Sequence, residues 1–355
     1  MLPWGSIPLT RSAGFGALPQ MLEAQAGHRA LIRTFEREGL PVDVIHQPQQ
    51  PLPIHALMRV FARSGQEAGH RTFGLDVGER MTHQGFGLWV EYSARGTTFA
   101  EGLRRTTTTL WAHQTHCRIE LIEAGAYVIW RYTSPPLEAK NHHHTDHIIG
   151  PVLQFARIYL GQDWRPDWIE VDYPRDPDTK YVEERLGVPL RHGYPGLGVP
   201  IRRDELERTR LLPLPPGGGR IVTLREVVAD ATLADAPEPA RSLSAIIALR
   251  LMGGMADIDG AAQLANTSVQ RLQRRLREKG FTYRQVVEIA RRDRAVHMLR
   301  ETDAKVVDIA FSLGYSEHAA FTRAFQRWMG CSPTQFRLSP AGRPPPPLVT
   351  RPAPA

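Results

Sequence analysis

Val306–Arg337, VVDIAFSLGYSEHAAFTRAFQRWMGCSPTQFR, reads as helix, tight turn, helix and a short closing motif. Ile309, Ala310 and Leu313 recur at helical spacing. Gly314 offers the positive φ that a sharp inter-helix turn needs. Ser316 is placed to cap the next helix. In that helix Ala320, Phe321, Ala324, Phe325 and Trp328 share an apolar face, while Glu317, His318, Thr322, Arg323, Gln326 and Arg327 occupy the other. An apolar-backed helix with a polar, basic front fits a helix-turn-helix reader of the DNA major groove.

The pattern occurs twice. Ala262, Asn266 and Ser268 each lie 48 residues before Ala310, Gly314 and Ser316. Asn266 holds the first turn, and Asn tolerates the left-handed region well. Ser268 would cap a helix running to Lys279, with Leu272 and Leu276 inward and Gly280 at its end. Between the copies, Tyr283–Arg300 places Val286, Val287, Ile289, Ala290, Ala295 and Leu299 at helical spacing. At about 1.5 Å per residue it would span roughly 25 Å. Such a rod can hold two recognition helices one DNA turn apart, on the order of 34 Å, so one chain can read two adjacent major grooves of double-stranded DNA.

Charge agrees with this placement. The 355-residue chain carries +7, and Ile258–Leu338 holds 14 Lys/Arg against 8 Asp/Glu, an excess of six. A phosphate-binding surface needs that local excess. The length suits two or three domains. No apolar run is long enough for a membrane span, and the N-terminus lacks a secretory pattern, so a cytoplasmic, nucleoid-associated protein is expected. Two cysteines, Cys117 and Cys331, make no disulfide framework. Cys117 reads as a small buried thiol rather than a nucleophile.

Upstream, the pattern is mixed. Helices are expected over Met21–Gly39, Ile54–Ala68, Thr98–Trp111, His147–Leu160 and Thr179–Leu186. Strands are expected at Phe73–Val77, within Cys117–Tyr132 as a hairpin, at Trp168–Tyr173 and near Leu197–Ile201. Gly85–Trp89 reads as a turn into either element. This makes an α+β domain followed by an all-α domain with two helix-turn-helix motifs joined by a long helix. The expected bounds are 15–211 for the first domain, 212–240 for a linker with a short helix within Ile221–Ala234, and 241–338 for the second domain, whose helix-turn-helix motifs fall at about 258–279 and 306–329. A further helix is expected over Arg241–Met255. Leu212–Arg220 holds three prolines and three glycines, which marks the linker, and Pro340–Ala355 holds seven prolines, which marks residues 339–355 as a tail without a core.

The C-terminal residues resemble the DNA-binding domain of the AraC/XylS family of bacterial transcription regulators. The resemblance rests on Ile309-Ala310, Leu313-Gly314-Tyr315-Ser316, Phe321–Phe325, Trp328, Gly330, Ser332–Arg337 and, in the first copy, Leu272–Leu276. Asn266 departs from the family's usual glycine. Pro53-Ile54, Thr72–Leu75 with Gly78, and Thr97–Thr109 resemble the arabinose-binding-type effector domain of one branch of that family. The resemblance implies a regulator whose promoter occupancy responds to a small-molecule effector of unknown identity. It also implies a homodimer, with RNA polymerase as a candidate partner and no cofactor.

Residues just after each helix start meet base edges most often, which selects Gln270, Arg271 and Arg274 in the first helix and Glu317, His318, Thr322 and Arg323 in the second. Arg275, Arg277 and Lys279 suit phosphates. His142, His143, His144, Asp146 and His147 suggest a metal site, joined in space by His113 or His116. Consecutive side chains diverge, which favours a solvated loop leading into a helix. That cluster supports the competing reading, a metal-dependent enzyme or metal sensor fused to a DNA-binding module. A ligand-independent dimeric regulator is the other alternative. Trp111, Tyr127, Trp130, Tyr132, Trp164 and Trp168 are candidates to line an effector pocket.

Overall fold

A glycine sets the first break in the chain. The single helix expected over Met21–Gly39 is two, α1 (Leu18–Ala26) and α2 (His28–Arg37), because Gly27 stands between them at φ 84°, outside the helical region. The computed structural model describes residues 6–135, 142–211, 221–230 and 237–339. The expected linker Leu212–Arg220 and tail Pro340–Ala355 lie outside them. Ahead of α1, β1 (Leu9–Arg11) pairs antiparallel with β2 (Pro51–Pro53). Strands this short carry too little alternation to be read from sequence. Helix α3 (Ile54–Ala68) has the expected bounds and ends at Gly69 in the left-handed conformation.

Phe73–Val77, expected as a strand, lies in helix α4 (Phe73–Arg80). Helices α5 (Leu88–Ser93) and α6 (Phe99–Thr109) follow, the latter capped by the Thr98 side chain. The hairpin is β3 (Arg118–Ala124) and β4 (Tyr127–Thr133), turning at Gly125. Helix α7 (His142–Leu160) begins earlier than expected. Its packing explains α4. A Cβ on Gly74 would lie 2.3 Å from the His143 carbonyl oxygen, one on Gly78 2.5 Å from that of His147, and one on Gly150 2.2 Å from that of Gly78. The two helix backbones therefore touch, and only glycine permits that approach. A short apolar run cannot reveal such a partner, so helix and strand are ambiguous there.

Strand β5 (Ile169–Val171), helix α8 (Thr179–Leu186), strand β6 (Leu190–His192) and strand β7 (Leu197–Arg202) complete a five-stranded sheet of order β3-β4-β7-β5-β6. Only the β5–β6 pair is parallel. Tyr132 stands opposite Ile119 and Leu197, and Trp130 opposite Leu121 and Val199. Period-two alternation thus turns Trp130, Tyr132 and Val199 to one face. On the other, Arg131 pairs with Glu170, both buried. Helix α9 (Leu224–Asp230) starts after the expected Ile221, and residues 231–234 lie outside the described ones.

The rest is helical: α10 (Ala240–Leu251), α11 (Ile258–Leu264), α12 (Val269–Glu278), α13 (Tyr283–Glu301), α14 (Val306–Ser312), α15 (His318–Met329) and α16 (Pro333–Leu338). Helix α13 is the rod between two cores. Val286, Ile289 and Ala290 enter one, Ala295 and Leu299 the other. The first core does not stop at the second domain. Leu243, Ile246, Leu264 and Leu272 belong to the same buried cluster as Leu22, Phe35, Leu57 and Phe61. Each such side chain contributes about 1.5–3 kcal/mol by burial, so this is a firm junction. The second core, around Phe321, Phe325, Trp328 and Phe336, is separate. Among the described residues no helix is long and apolar enough to cross a membrane.

Candidate functional site

Helices α12 and α15, the two expected recognition helices, are built alike and entered differently. At the first turn Asn266 sits at φ 50°, as its tolerance of that region allows. The Ser268 hydroxyl then accepts from the Arg271 amide at 3.3 Å, capping α12. At the second turn Gly314 sits at φ 77°. Here the expected cap is corrected. The N-cap is Glu317, whose carbonyl accepts from the Ala320 and Phe321 amides at 3.2 and 3.4 Å, and no side chain caps α15. Ser316 stands one residue outside. On the 48-residue offset, α15 therefore starts one residue later than α12.

Leu272 and Leu276 of α12 point into the first core, and Phe321, Ala324, Phe325 and Trp328 of α15 into the second. That orientation leaves Gln270, Arg271, Arg274 and Arg277 exposed and Arg275 half-buried. Glu317, His318 and Arg323 are exposed, and Thr322 is half-buried with its hydroxyl donating to the His318 carbonyl at 3.1 Å. Arg275 has a lowered pKa, first from partial burial and then from the Arg271 and Arg274 charges beside it. Crowded like charge of this kind is relieved by an anion.

The closing motif is structural. The Ser332 hydroxyl accepts from the Gln335 amide at 3.2 Å and the Gln335 side chain accepts from the Ser332 amide at 3.0 Å, a reciprocal cap on α16. Phe336 is buried, and the Arg337 guanidinium donates to the Ala304 carbonyl at 2.6 Å. This pins α16 to the loop between α13 and α14. Arg291 lies over the Tyr315 ring at 4.8 Å and holds the second turn against the rod.

A cavity lies in the N-terminal part, between the sheet, α6 and α7. The cavity volume open to the centre of a water-sized sphere is about 100 Å³, several times the roughly 10–15 Å³ that a single water needs. Trp130 and Tyr132 line it, as anticipated for two of the candidate aromatics. Trp111 is exposed, and Tyr127, Trp164 and Trp168 are not in its wall. Trp89, Phe99 and Phe155 are wall residues that sequence reasoning did not single out. Phe99 and Phe155 fall in expected helices whose spacing does not say what they pack against, and Trp89 falls in a stretch read as a turn into either element.

The histidine cluster is not the solvated loop expected from its sequence. His142–His147 form the first turns of α7, and His143, His144, Asp146 and His147 are buried. The Gly74 and Gly78 contacts draw this turn inside. Asp146 pairs with Arg71 and accepts from the Tyr173 hydroxyl at 2.6 Å. His143 packs edge-on against Phe73, while His147 stacks on Phe61 at 4.1 Å. The side chains thus diverge, and no metal-holding group occurs among the described residues. His144 and His147 face the cavity, as does His113, which stacks on Trp89 at 5.5 Å. His116 instead bonds Ser6 at 2.7 Å. Desolvation lowers the pKa of His113 to about 3 and of His147 to about 4, and holds His144 well below its ordinary value. All three are neutral near pH 7. Burial pushes the Cys117 thiol up to about 12, so it stays protonated.

Helix α3 stands between the cavity and the first helix-turn-helix. Leu57 lines the cavity and Phe61 backs its histidines. His55, two residues before Leu57 and so on the other side of the helix, donates through Nε2 to the Leu264 carbonyl at the end of α11, at 2.8 Å. A carbonyl can only accept, which fixes the tautomer. Leu264 also meets Gly39, where a Cβ would stand 3.5 Å away. The docked side of the motif is its back; the exposed face of α12 points elsewhere.

Comparison with known proteins agrees with both halves. Residues 30–209 match the arabinose-binding domain of AraC transcription regulator, N-terminal, and residues 261–339 match a helix-turn-helix domain. The ornithine utilization regulator of Pseudomonas aeruginosa is 27% identical over 222 residues, which cover 62% of this chain and 64% of that protein, just under two thirds of its length. The regulator VirS of Mycobacterium tuberculosis is 24% identical across 94% of both chains. The regulator VqsM of Pseudomonas aeruginosa is 48% identical, but over 68 residues that cover 19% of this chain and 21% of that one. The crystal structure of the regulator CdpR from Pseudomonas aeruginosa covers 86% of this chain and 97% of its own at 17% identity and a TM-score of 0.38, too loose to carry an argument.

Proposed function

The chain belongs to the AraC family of DNA-binding transcription regulators, and from that premise we propose that a small molecule in the N-terminal cavity controls how its two recognition helices occupy a promoter. One observation carries the reading: α3 lines the cavity on one side and holds the first helix-turn-helix on the other. A ligand that moves Leu57 or Phe61 moves the seat of Leu264. The first recognition helix then shifts relative to the second, whose core is separate. A ligand acts in this way only through different affinities for the two arrangements.

In this reading α12 and α15 enter adjacent major grooves. Gln270, Arg271, Arg274, Glu317, His318, Thr322 and Arg323 face base edges; Arg275, Arg277 and Lys279 face phosphates. The working form is a homodimer in the cytoplasm that meets RNA polymerase at the promoter. The relatives carry the names of regulators, not enzymes, and no residue here is given a catalytic role.

The test is binding of the full chain to DNA from upstream of its own gene across a salt series. Arg277→Ala should weaken binding to every sequence alike and lower the salt slope by about 1. Gln270→Ala should cost about 1–3 kcal/mol on the specific site and relax preference at one base pair. Affinity that ignores both salt and sequence would refute the reading.

A further inference from the structure

We infer that the cavity between the sheet, α6 and α7 takes an uncharged, predominantly apolar molecule bearing one or two hydrogen-bonding groups, and not a sugar or an amino acid. The inference rests on the effector reading above and names the class of that effector.

The lining decides the class. No Asp, Glu, Lys or Arg contributes to it among the described residues. A zwitterion would therefore leave its carboxylate and ammonium buried without counter-charges. A sugar presents hydroxyls around its ring, and each must regain a hydrogen bond on leaving water. The wall has five polar side chains apart from the tyrosine: Thr106, His113, Gln114, His144 and His147. Two of them are already engaged. The Thr106 hydroxyl donates to the Leu103 carbonyl at 2.7 Å and accepts from Trp130 at 3.4 Å. Gln114 accepts from the Tyr132 hydroxyl at 2.9 Å and donates to Thr10 at 3.2 Å. The remainder of the wall is aromatic and aliphatic, which suits an acyl chain or a fused ring.

The head group is set by what remains unpartnered. His144 is 3% exposed, and neither ring nitrogen has a hydrogen-bond partner. His113 is 5% exposed with Nδ1 unpartnered, and Nε1 of the adjacent Trp89 is unpartnered as well. Buried polar groups in this state call for a partner. A neutral imidazole offers one donor and one acceptor. A hydroxyl matches both, and a ketone or ester oxygen matches the donor. A carboxylate matches the donor alone and brings a charge that nothing in the wall balances.

The experiment uses the full chain and N-phenylnaphthylamine, an uncharged fluorophore that brightens in apolar surroundings. The probe should bind and be displaced by decanol and by methyl decanoate. Decanoate near neutral pH should compete at least about tenfold less well. Arabinose and ornithine should not compete. His144→Leu keeps the bulk and removes both nitrogens; decanol affinity should fall about tenfold while the probe's changes by no more than about twofold. If that variant does not fold, the competition series on the unmodified chain decides alone. Displacement by arabinose or ornithine but not by decanol overturns the assignment. A separate arm measures DNA affinity with decanol at saturation. Binding in the cavity with no change at the DNA leaves the ligand class standing and sinks the effector reading. A DNA response to arabinose that also displaces the probe, with none to decanol, does the reverse.

Discussion

Gly150→Ala should destabilise the N-terminal part, although Ala is the better helix former. The added Cβ would stand 2.2 Å from the Gly78 oxygen, 2.5 Å from the Gly78 carbonyl carbon and 3.1 Å from the Glu79 nitrogen. Ordinary carbon contacts with such atoms lie at about 3.3–3.6 Å. All three neighbours are main-chain atoms of α4, so no rotamer change relieves the clash. The helices must separate by about 1 Å, which forfeits a quarter to a half of the dispersion energy at each facing pair. Overpacking of this kind costs about 1–3 kcal/mol. The gain in helix propensity is about 1 kcal/mol. Strain wins because α4 cannot yield without also lifting Gly74 and Gly78 off the His143 and His147 turns. A 2.2 Å approach to main-chain atoms puts the clash at the upper end of that range, about 2–3 kcal/mol, so the expected net loss is about 1–2 kcal/mol, which lowers Tm by about 2–8 °C for a unit of this size. Thermal and urea unfolding followed by tryptophan fluorescence would measure it, since Trp89 and Trp130 sit beside α7 in the cavity wall. An unchanged or raised Tm would mean that the α4–α7 backbones do not touch.

Two further outcomes follow from the same geometry. Stability should fall as the medium is acidified from about pH 6.5 towards pH 4. His55 and His147 are depressed to about 4 and His113 to about 3, with desolvation the first cause in each. A base whose folded pKa is lowered stabilises the fold above its unfolded value and loses that contribution as pH falls towards the folded one. Each contributes up to about 1.4 kcal/mol per pH unit in that window. A urea midpoint that stays flat between about pH 7 and pH 5 would contradict the neutral, buried histidines. Arg337→Ala should loosen the second helix-turn-helix by about 1–2 kcal/mol, by loss of its charged hydrogen bond to the Ala304 carbonyl. Faster amide exchange in α14–α16, with α10–α12 unaffected, is the signature to look for.

The DNA-binding half was legible because its signals are local. Helical spacing, Gly314, Asn266, Ser268 and the 48-residue offset all act within a few residues of themselves, and the turns form where they indicate. Ser316 misled because a cap is defined by where the first helical carbonyl falls, and that is Glu317. The N-terminal half was read less well because its decisive contacts are remote. Phe73–Val77 has the composition of a strand, and only the glycines of α7 and the turns of α4 against each other make it a helix. The histidine run reads as polar until the backbone contact that buries it is known. Trp130 and Tyr132 were named among six aromatics by residue type alone, and it is the strand register that sets these two on one face. Phe99 and Phe155 carry the same burial signal as any core residue, and nothing local says that they border empty space.

The core shared by α1–α3 and α10–α12 has a consequence for genetics. Alleles selected for lost promoter control should map not only to α12 and α15 but also to Phe35, Leu57 and Phe61, which lie in the buried core. Phenotype alone would score them as operator-binding defects. Alleles in the core around Phe325 and Trp328 should behave otherwise, losing one half-site while the other stays seated. A mutational map of this gene would therefore be asymmetric: the first helix-turn-helix inherits the sensitivities of the sensor, and the second answers only for itself.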